Sequence, residues 1–363
     1  MSEPLTIGVD ATFLVRDKRG MGRCIRSILK QWKVQCDHKI VLLTRDKRHL
    51  SELEDYAAAG WECHLASQSP PLDVCWFAWN RVDWEVDCPA AVTIYDVAPF
   101  TDYHPQNRHL ESDQERLRQA AEAADRIVTT SNFSRVELHR HLGYDLASID
   151  VIQLGVDPVF HPHRDGFQDA FFVEHVGDKP YILFVGNPEP RKNLEGLLEA
   201  FVLLESQVEC NLVLVCNRPA GPTLVDRLRG KSSSLLEHIN RLNDRLVWLE
   251  GIEDQTLAEL YRRCAVFVMP SFYEGFGLPV LEALGCGATV AAARAASLPE
   301  VGGDIPYWFD PSDPVDIARA VMEALANPNG DQGPARAAQF RWSDTARQLQ
   351  EILEGMASHG VSV

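Results

Sequence analysis

Short runs of almost wholly apolar residues recur along the chain, and between them the apolar positions fall at helical spacing. TIGVD (Thr6 to Asp10), KIVLLT (Lys39 to Thr44), WECHLA (Trp61 to Ala66), AAVTIY (Ala90 to Tyr95) and IVTTS (Ile127 to Ser131) read as strands of the first half, and the aromatic run DVCWFAW (Asp73 to Trp79) either lines a cleft or fills core. YILFVG (Tyr181 to Gly186), NLVLVC (Asn211 to Cys216), RLVWLE (Arg245 to Glu250), CAVFVM (Cys264 to Met269) and ATVAAA (Ala288 to Ala293) read as strands of the second. Near-continuous apolar strands are buried on both faces, as in a parallel sheet. Ile25, Ile28, Leu29 and Trp32 predict a helix after the first strand. Leu194, Leu197, Leu198 and Phe201 predict one after Gly186. Helical patterns also cover SELEDYAAAG (Ser51 to Gly60), a segment from about Gln106 to Ala124, TLAELYRRC, VDIARAVMEAL and the closing FRWSDTARQLQEILEGM (Phe340 to Met356). Strand and helix alternating in this way predict an α/β protein.

At 363 residues the chain fits two domains better than one. The stretch 161–180 mixes Pro, Gly and charge and reads as a linker, with FFVEHVG inside it as a helix candidate. The expected domains are therefore 1–160 and 181–340, followed by a final helix at 341–363.

The most informative stretch is MPSFYEGFGLPVLEALGCG, from Met269 to Gly287. An apolar strand runs out at Pro270, and a loop carries Glu274, Gly275, Phe276 and Gly277. Pro279 suits the first turn of a helix that carries Glu282 and ends near Gly285 and Gly287. Both glutamates can face the space above a strand's carboxyl end, where open α/β sheets bind ligands. The helix N-terminus adds N–H donors suited to an anion such as a phosphate. At NPEPRKN, Arg191 and Lys192 sit at a loop–helix junction, where cations oppose the helix dipole unless an anion joins them.

Other candidates are open at this level. Gly20-Met21-Gly22 with Arg23 is either a phosphate-contacting loop or a plain tight turn, and it lacks the third glycine of a dinucleotide fingerprint. Asp96 is a strand-end carboxylate or a turn cap. Ser131 opens a helix with a hydroxyl, and Glu300 in S-L-P-E-V-G-G-D is a site-edge carboxylate or a cap.

Composition narrows the class. The chain is 45% hydrophobic and 24% charged, as in ordinary globular proteins. A net charge of −17 argues against nucleic acid as a partner. The nine cysteines show no CxxC pair and the twelve histidines no ligand spacing, so no metal site is expected. No apolar run approaches a membrane span, and MSEPLTIGVD lacks the features of a signal peptide, which makes a cytoplasmic protein the expectation. Charge is uneven, however. Arg16 to Arg48 is rich in Lys and Arg, including Arg26, Lys30 and Lys33, and is either a solvated basic face or a surface that meets anionic lipid.

E-G-F-G-L-P-V-L-E preceded by P-S closely resembles the E-x7-E signature of the retaining GT-B glycosyltransferases of family 4 (glycosyl transferases group 1). G-x-x-x-x-R-K-N from Gly186 to Asn193, V-x-x-S-x-F-S at Val128 to Ser134, G-V-D at Gly155 to Asp157 and S-L-P-E-V-G-G-D match the same family. R-G-M-G-R resembles a bacterial polysaccharide subgroup that includes mannosyl- and rhamnosyltransferases. The family's usual His-Asp is Tyr95-Asp96 here, so only the aspartate carries over.

The resemblance implies a GT-B fold: two doubly wound Rossmann-like domains facing a central cleft, acceptor on the first and sugar nucleotide on the second, with the last helix crossing back to the first. It implies metal-independent transfer of a hexosyl unit with retention to a glycan or lipid-linked saccharide, without a cofactor beyond the nucleotide-sugar donor. Arg191 and Lys192 would neutralise the leaving diphosphate, Glu274 would meet donor-sugar hydroxyls, and Asp96 would contact a sugar at the reacting face. Glu282 would hold the ribose, and Gly251 and Ile252 the base. Gly20, Gly22, Arg23, Ser131, Asn187, Phe276, Gly277, Leu278 and Glu300 complete the expected substrate contacts. GDP-mannose is the first-choice donor, with dTDP-rhamnose or a UDP-hexose as alternatives. Other classes are an inactive GT-B-like scaffold subunit, a Rossmann oxidoreductase and an epimerase. The missing third glycine disfavours the oxidoreductase, and the basic pair with E-x7-E disfavours the epimerase.

Overall fold

The structure is a computed structural model and describes residues 3–18, 20–103, 109–163, 170–216 and 238–359. Arg19, His104-Pro105, the start of the Gln106 helix, residues 164–169 of the linker and the segment after Cys216 lie outside the described residues. The chain divides into two compact units. One holds the described residues within Met1–Thr101, Gln106–Gly155 and Phe340–Val363; the other holds those within Asp102–Pro105 and Val156–Gln339.

Among the described residues, the first unit carries a seven-stranded sheet of β1 (Thr6–Asp10), β2 (Lys39–Thr44), β3 (Glu62–Leu65), β4 (Val74–Phe77), β5 (Ala90–Thr93), β6 (Arg126–Thr129) and β7 (Ile149–Val151). Their order is β3-β2-β1-β4-β5-β6-β7, every pairing parallel. The second unit carries β8 (Tyr181–Val185), β9 (Asn211–Val215), β10 (Leu246–Leu249), β11 (Val266–Met269), β12 (Val290–Ala293) and β13 (Tyr307–Phe309), ordered β10-β9-β8-β11-β12-β13 and again parallel. Each sheet starts near its middle, winds out to one edge, then returns and winds to the other. That reversal places a switch point between β1 and β4 in the first unit and between β8 and β11 in the second, where ligands of such sheets bind.

The strands formed where the apolar runs lie because both faces are covered: β4, β5, β11 and β12 are buried along their whole length. Two local readings change. The R-G-M-G-R segment is not a loop from Gly20 onward, because Gly20–Gln35 is one continuous helix with Gly20 to Arg23 as its first turn. The Ser51–Gly60 helix is two short ones, Lys47–Ser51 and Glu54–Ala58, with buried Leu53 between them. The long acidic helix spans Leu110–Glu122, and FFVEHVG contributes the helix Ala170–His175.

The last helix, Trp342–His359, packs within the first unit. Trp32 Nε1 donates to the Ala346 carbonyl at 2.9 Å, and Thr345 Oγ1 donates to the Gln153 carbonyl at 2.8 Å. A Cβ on Gly155 would lie 2.2 Å from the Trp342 nitrogen, so only glycine permits that approach. The chain joins the second unit immediately afterward. Arg262 donates to the carbonyls of Val159 and His161 at 2.8 and 2.7 Å, and the Phe160 ring meets Tyr261 edge to face. Val156 to His161 is therefore part of the second unit's packing.

Candidate active site

In the second unit, β8 and β11 are hydrogen-bonded neighbours at the switch point, so the loops that follow them emerge side by side. Pro190–Lys192 forms a single 3₁₀ turn after β8. Asn193 follows in the left-handed region (φ 53°), caps the helix Leu194–Leu204 through Gly196 N, and donates its Nδ2 to the carbonyls of Pro270 and Pro311 at 3.1 and 2.7 Å. Asparagine tolerates that backbone and supplies the bridging amide. Phe272 N donates to the Arg191 carbonyl at 2.8 Å. The two loops are thus tied together through their backbones.

This juxtaposition brings Arg191, Lys192 and Glu274 into one cluster. Lys192 Nζ donates to Glu274 Oε1 at 2.6 Å, and Arg191 Nη1 lies 3.3 Å from Glu274 Oε2. Arg191 Nε also donates to Glu189 Oε2 at 2.8 Å. Lys192 and Glu274 are buried, 8% and 6% exposed. Burial works to raise the Glu274 carboxyl, but the Lys192 ammonium and the Arg191 guanidinium outweigh it and hold the group below the usual carboxylate range.

Gly277 has φ 111°, which permits the sharp entry into the helix Leu278–Gly285. Phe276 is buried, and Leu278 opens the helix with Pro279 behind it. Glu282 is buried on that helix, and Tyr261 OH donates to its Oε2 at 3.2 Å. Asn187 follows β8, and Gly251 (φ 63°) and Ile252 lie in the loop after β10, at the carboxyl ends of two strands that flank β9. Glu300 lies in the short helix Leu298–Gly302, whose Glu300 carbonyl accepts from Arg336 at 2.6 Å.

The first unit holds a cavity of about 530 Å³ at its own switch point. Phe13, Arg16, Asp17 and Met21 line it from the segment after β1, Trp79, Asn80 and Arg81 from the loop after β4, and Asp96 and Pro99 from the loop after β5. Asp96 serves as both candidates at once: Oδ1 accepts from Ala98 N at 2.9 Å as a turn cap, while the residue lines the cavity. Asn80 fixes its neighbour. With φ 58° it donates its N–H to the Thr93 carbonyl at 3.0 Å and accepts from Tyr95 N at 2.8 Å through Oδ1. Phe13 and Trp79 meet edge to face, with ring centroids 5.7 Å apart, and the Arg81 guanidinium lies over the Phe13 ring.

The glycine pair of the first turn divides in role. A Cβ on Gly22 would sit 1.8 Å from the Asp17 carbonyl oxygen, whereas one on Gly20 meets nothing within 4 Å. Arg23 is half-buried beside them, and of this turn it is Met21 that lines the cavity. Ser131 is buried away from the cavity and caps the helix Asn132–Leu142 by accepting from Ser134 N at 3.0 Å.

Asp10, the last residue of β1, is not marked by any motif but is joined to Trp79 of the cavity wall. Its Oδ1 accepts from Thr12 N and Thr12 Oγ1 at 3.0 and 2.6 Å, and Trp79 Nε1 donates to its carbonyl at 2.8 Å. Its Oδ2 is buried with no hydrogen-bond partner among the described residues, and burial pushes the carboxyl up to about 7. The signal that could have found it is positional, since a carboxylate at the carboxyl end of a central strand adjoins the switch point.

Among the described residues, no helix is long and apolar enough to cross a membrane.

The profile of the family described as glycosyl transferases group 1 matches residues 167–341. The O-antigen chain mannosyltransferase B of Escherichia coli is 32% identical over 270 residues, 71% of this chain and 68% of that protein. The serotype-specific mannosyltransferase WbdA of Escherichia coli is 34% identical over 196 residues, 50% of this chain, which thus spans 24% of WbdA. Among solved structures, Anabaena HepE in complex with UDP and glucose is 16% identical and superimposes with a TM-score of 0.73 over 97% of this chain and 100% of that one, a likeness of fold. Two doubly wound parallel sheets, the loop pair after β8 and β11 and these similarities together place the chain in the glycosyl transferases group 1 family, as a glycosyltransferase of the GT-B fold.

Proposed function

We propose that the protein is a retaining hexosyltransferase that moves mannose from GDP-mannose to a glycan or lipid-linked saccharide. The observation that carries this reading is the cluster of Arg191, Lys192 and Glu274 at the second unit's switch point. The donor choice is supported by the two mannosyltransferases of Escherichia coli, of one of which the chain spans only a quarter. The same chemistry with a dTDP-rhamnose or UDP-hexose donor is the alternative.

The bond between the sugar's anomeric carbon and the diphosphate oxygen breaks, and its electron pair leaves with the nucleoside diphosphate. Arg191 and Lys192 neutralise that growing charge, which supplies locally what a metal ion supplies elsewhere. Lys192 is compatible with this role because an ammonium has three donors and Glu274 takes one. Glu274 receives hydroxyls of the donor sugar, whose carbon gains oxocarbenium character. Glu282 holds the ribose, Gly251 and Ile252 the base, and Asn187 and Glu300 lie at the edge of the site. The N–H groups of Phe276, Gly277 and Leu278 address the phosphates and sugar.

The acceptor sugar enters the cavity of the first unit, where Phe13 and Trp79 offer apolar ring surface and Asp96 a hydroxyl contact. Its attacking hydroxyl bonds to the anomeric carbon and gives its proton to the departing phosphate. Gly20, Gly22 and Arg23 set the turn beside this cavity. Ser131 acts by capping its helix.

A cytoplasmic protein that touches the inner membrane face fits the basic N-terminal stretch. Lys30, Lys33, Lys47 and Arg48 are exposed, and Val34 is 88% exposed among them. Arg26 is not available, because its Nη1 donates to the Leu14 and Asp17 carbonyls. Charge reversal at Lys30, Lys33 and Lys47 should therefore abolish binding to anionic liposomes without unfolding the chain. Unchanged or absent wild-type binding removes the membrane contact.

The deciding experiment is NMR-monitored turnover of GDP-mannose, UDP-glucose, UDP-N-acetylglucosamine and dTDP-rhamnose with a mixed glycan acceptor pool. Consumption of GDP-mannose alone, with the anomeric configuration kept and lost in Glu274→Ala and Lys192→Ala, is expected. Inversion, or consumption of another donor, overturns the corresponding part. A folded protein that binds no nucleotide would instead be a scaffold subunit.

A further inference from the structure

The loop that carries Glu274 is held from two sides, by the loop after β8 and by the turn after β12. On the β8 side the ties run from Arg191 and Asn193. On the other side β12 runs parallel to β11 and delivers the turn Ala295 to Leu298 against the same loop. Ser297 is fully buried, and its Oγ lies 2.8 Å from both the Glu274 carbonyl and the Phe276 carbonyl. A serine hydroxyl has one hydrogen, so it is shared between the two oxygens. Leu298 completes the contact, because its Cδ2 would lie 2.7 Å from a Cβ on Gly277 and so occupies the space a side chain there would need.

The backbone that delivers Ser297 is itself unusual. Ala296 has φ 52°, and the other non-glycine residues with positive φ among the described residues, Asn80 and Asn193, are asparagines. An alanine methyl crowds the carbonyl in that conformation, and nothing in its side chain compensates. Such a turn persists where surrounding contacts over-determine it, and such turns cluster at functional sites.

We infer that Ser297 is a positioning residue for the donor sugar. Its hydroxyl pins the Glu274 main chain while Lys192 pins the Glu274 carboxylate, so the carboxylate is fixed at both ends and the backbone from Phe276 to Leu278 keeps its direction. This role rests on the reading of Glu274 as a contact to the donor sugar. A buried serine with two carbonyl partners also stabilises the fold, so stability alone does not test it.

The test compares affinity for a sugar nucleotide with affinity for its nucleoside diphosphate, using GDP-mannose against GDP and UDP-glucose against UDP by calorimetry. In Ser297→Ala the sugar nucleotide that wild type prefers should bind at least tenfold more weakly while the diphosphate changes less than threefold. Its kcat per folded molecule should fall at least tenfold, and Ser297→Thr, which keeps the hydroxyl, should recover most of both. Ser297→Cys fills the volume with a weak donor and carries the same comparison where the alanine variant does not fold. A lowered unfolding midpoint with the ratio of the two affinities and kcat unchanged overturns the inference and leaves Ser297 a structural hydroxyl. Glu274→Gln is measured alongside. If it also leaves the ratio unchanged, the sugar-contact reading of Glu274 has failed; if it alone lowers the ratio, the role of Ser297 has failed.

Discussion

Lys192 Nζ and Glu274 Oε1 lie 2.6 Å apart although 82 positions separate them in the chain. Both are buried, so each is the other's condition for carrying charge there. Lys192→Ala should lower kcat by 10²–10³, as loss of one donor to a departing charge does. Glu274→Ala should destabilise by about 3–5 kcal/mol, because it leaves a buried ammonium without its partner. The Lys192→Ala/Glu274→Ala pair, measured by urea unfolding, should cost less than the two single losses added.

The same pair has a pH signature. Glu274 is held below the ordinary carboxylate range in the folded state, so its contribution is present above that range and lost as pH falls through its folded value. The stability gap between wild type and Glu274→Gln should therefore be constant from pH 8 to about 5 and shrink below about pH 4. A gap that does not shrink at all between about pH 5 and pH 3 would contradict the assignment.

Asp10 has the opposite sign. Its carboxyl is raised from 3.8 to about 7, so the folded state binds the extra proton and stability falls as pH rises between those values. Asp10→Asn keeps the acceptor for Thr12 and removes the buried charge. It should be more stable than wild type at pH 8, by on the order of 2–4 kcal/mol, and nearly equal to it at pH 4. Denaturant midpoints across pH 4–8 check this directly.

Gly22 and Gly20 should separate cleanly. The added methyl of Gly22→Ala meets the Asp17 carbonyl at 1.8 Å and must move backbone, so several kcal/mol of stability and the shape of the Arg16–Asp17–Met21 cavity wall should go together. Acceptor KM should rise with donor KM unchanged. Gly20→Ala enters open space in a helical first turn and should be neutral or stabilising by up to about 1 kcal/mol.

Tyr261→Phe removes the hydroxyl that donates to buried Glu282. A loss of about 1–3 kcal/mol in stability is expected, together with weaker binding of the nucleoside diphosphate, if Glu282 holds the ribose. An unchanged nucleotide Kd would separate Glu282 from that role.

Several elements were legible one residue at a time. Val266–Met269 and Val290–Ala293 read as buried strands because they are short, apolar and bounded by Pro270 and Arg294. The helix start at Leu278–Pro279 followed from Gly277 and Pro279. The first turn of Gly20–Gln35 was not legible: two glycines within three residues argue for a loop, and the close approach of the Asp17 carbonyl is what requires one of them inside a helix. Asp10 was also silent, since neither spacing nor residue type distinguishes it from any strand-end aspartate, and Ser297 was visible only as the first residue of S-L-P-E-V-G-G-D, where attention fell on Glu300.

Local periodicity and turn chemistry determined the α/β alternation and marked Arg191, Lys192, Glu274 and Glu282 as candidates, because those depend on residues a few positions apart. Only the tertiary structure decided which strand ends are neighbours. The order β10-β9-β8-β11-β12-β13 puts the loop after β8 against the loop after β11, and the turn after β12 against that same loop. Hydrogen bonding between strands distant in sequence sets this order, and no local pattern records it, so the Lys192–Glu274 pair and the Ser297 tie exist only once the sheet has closed.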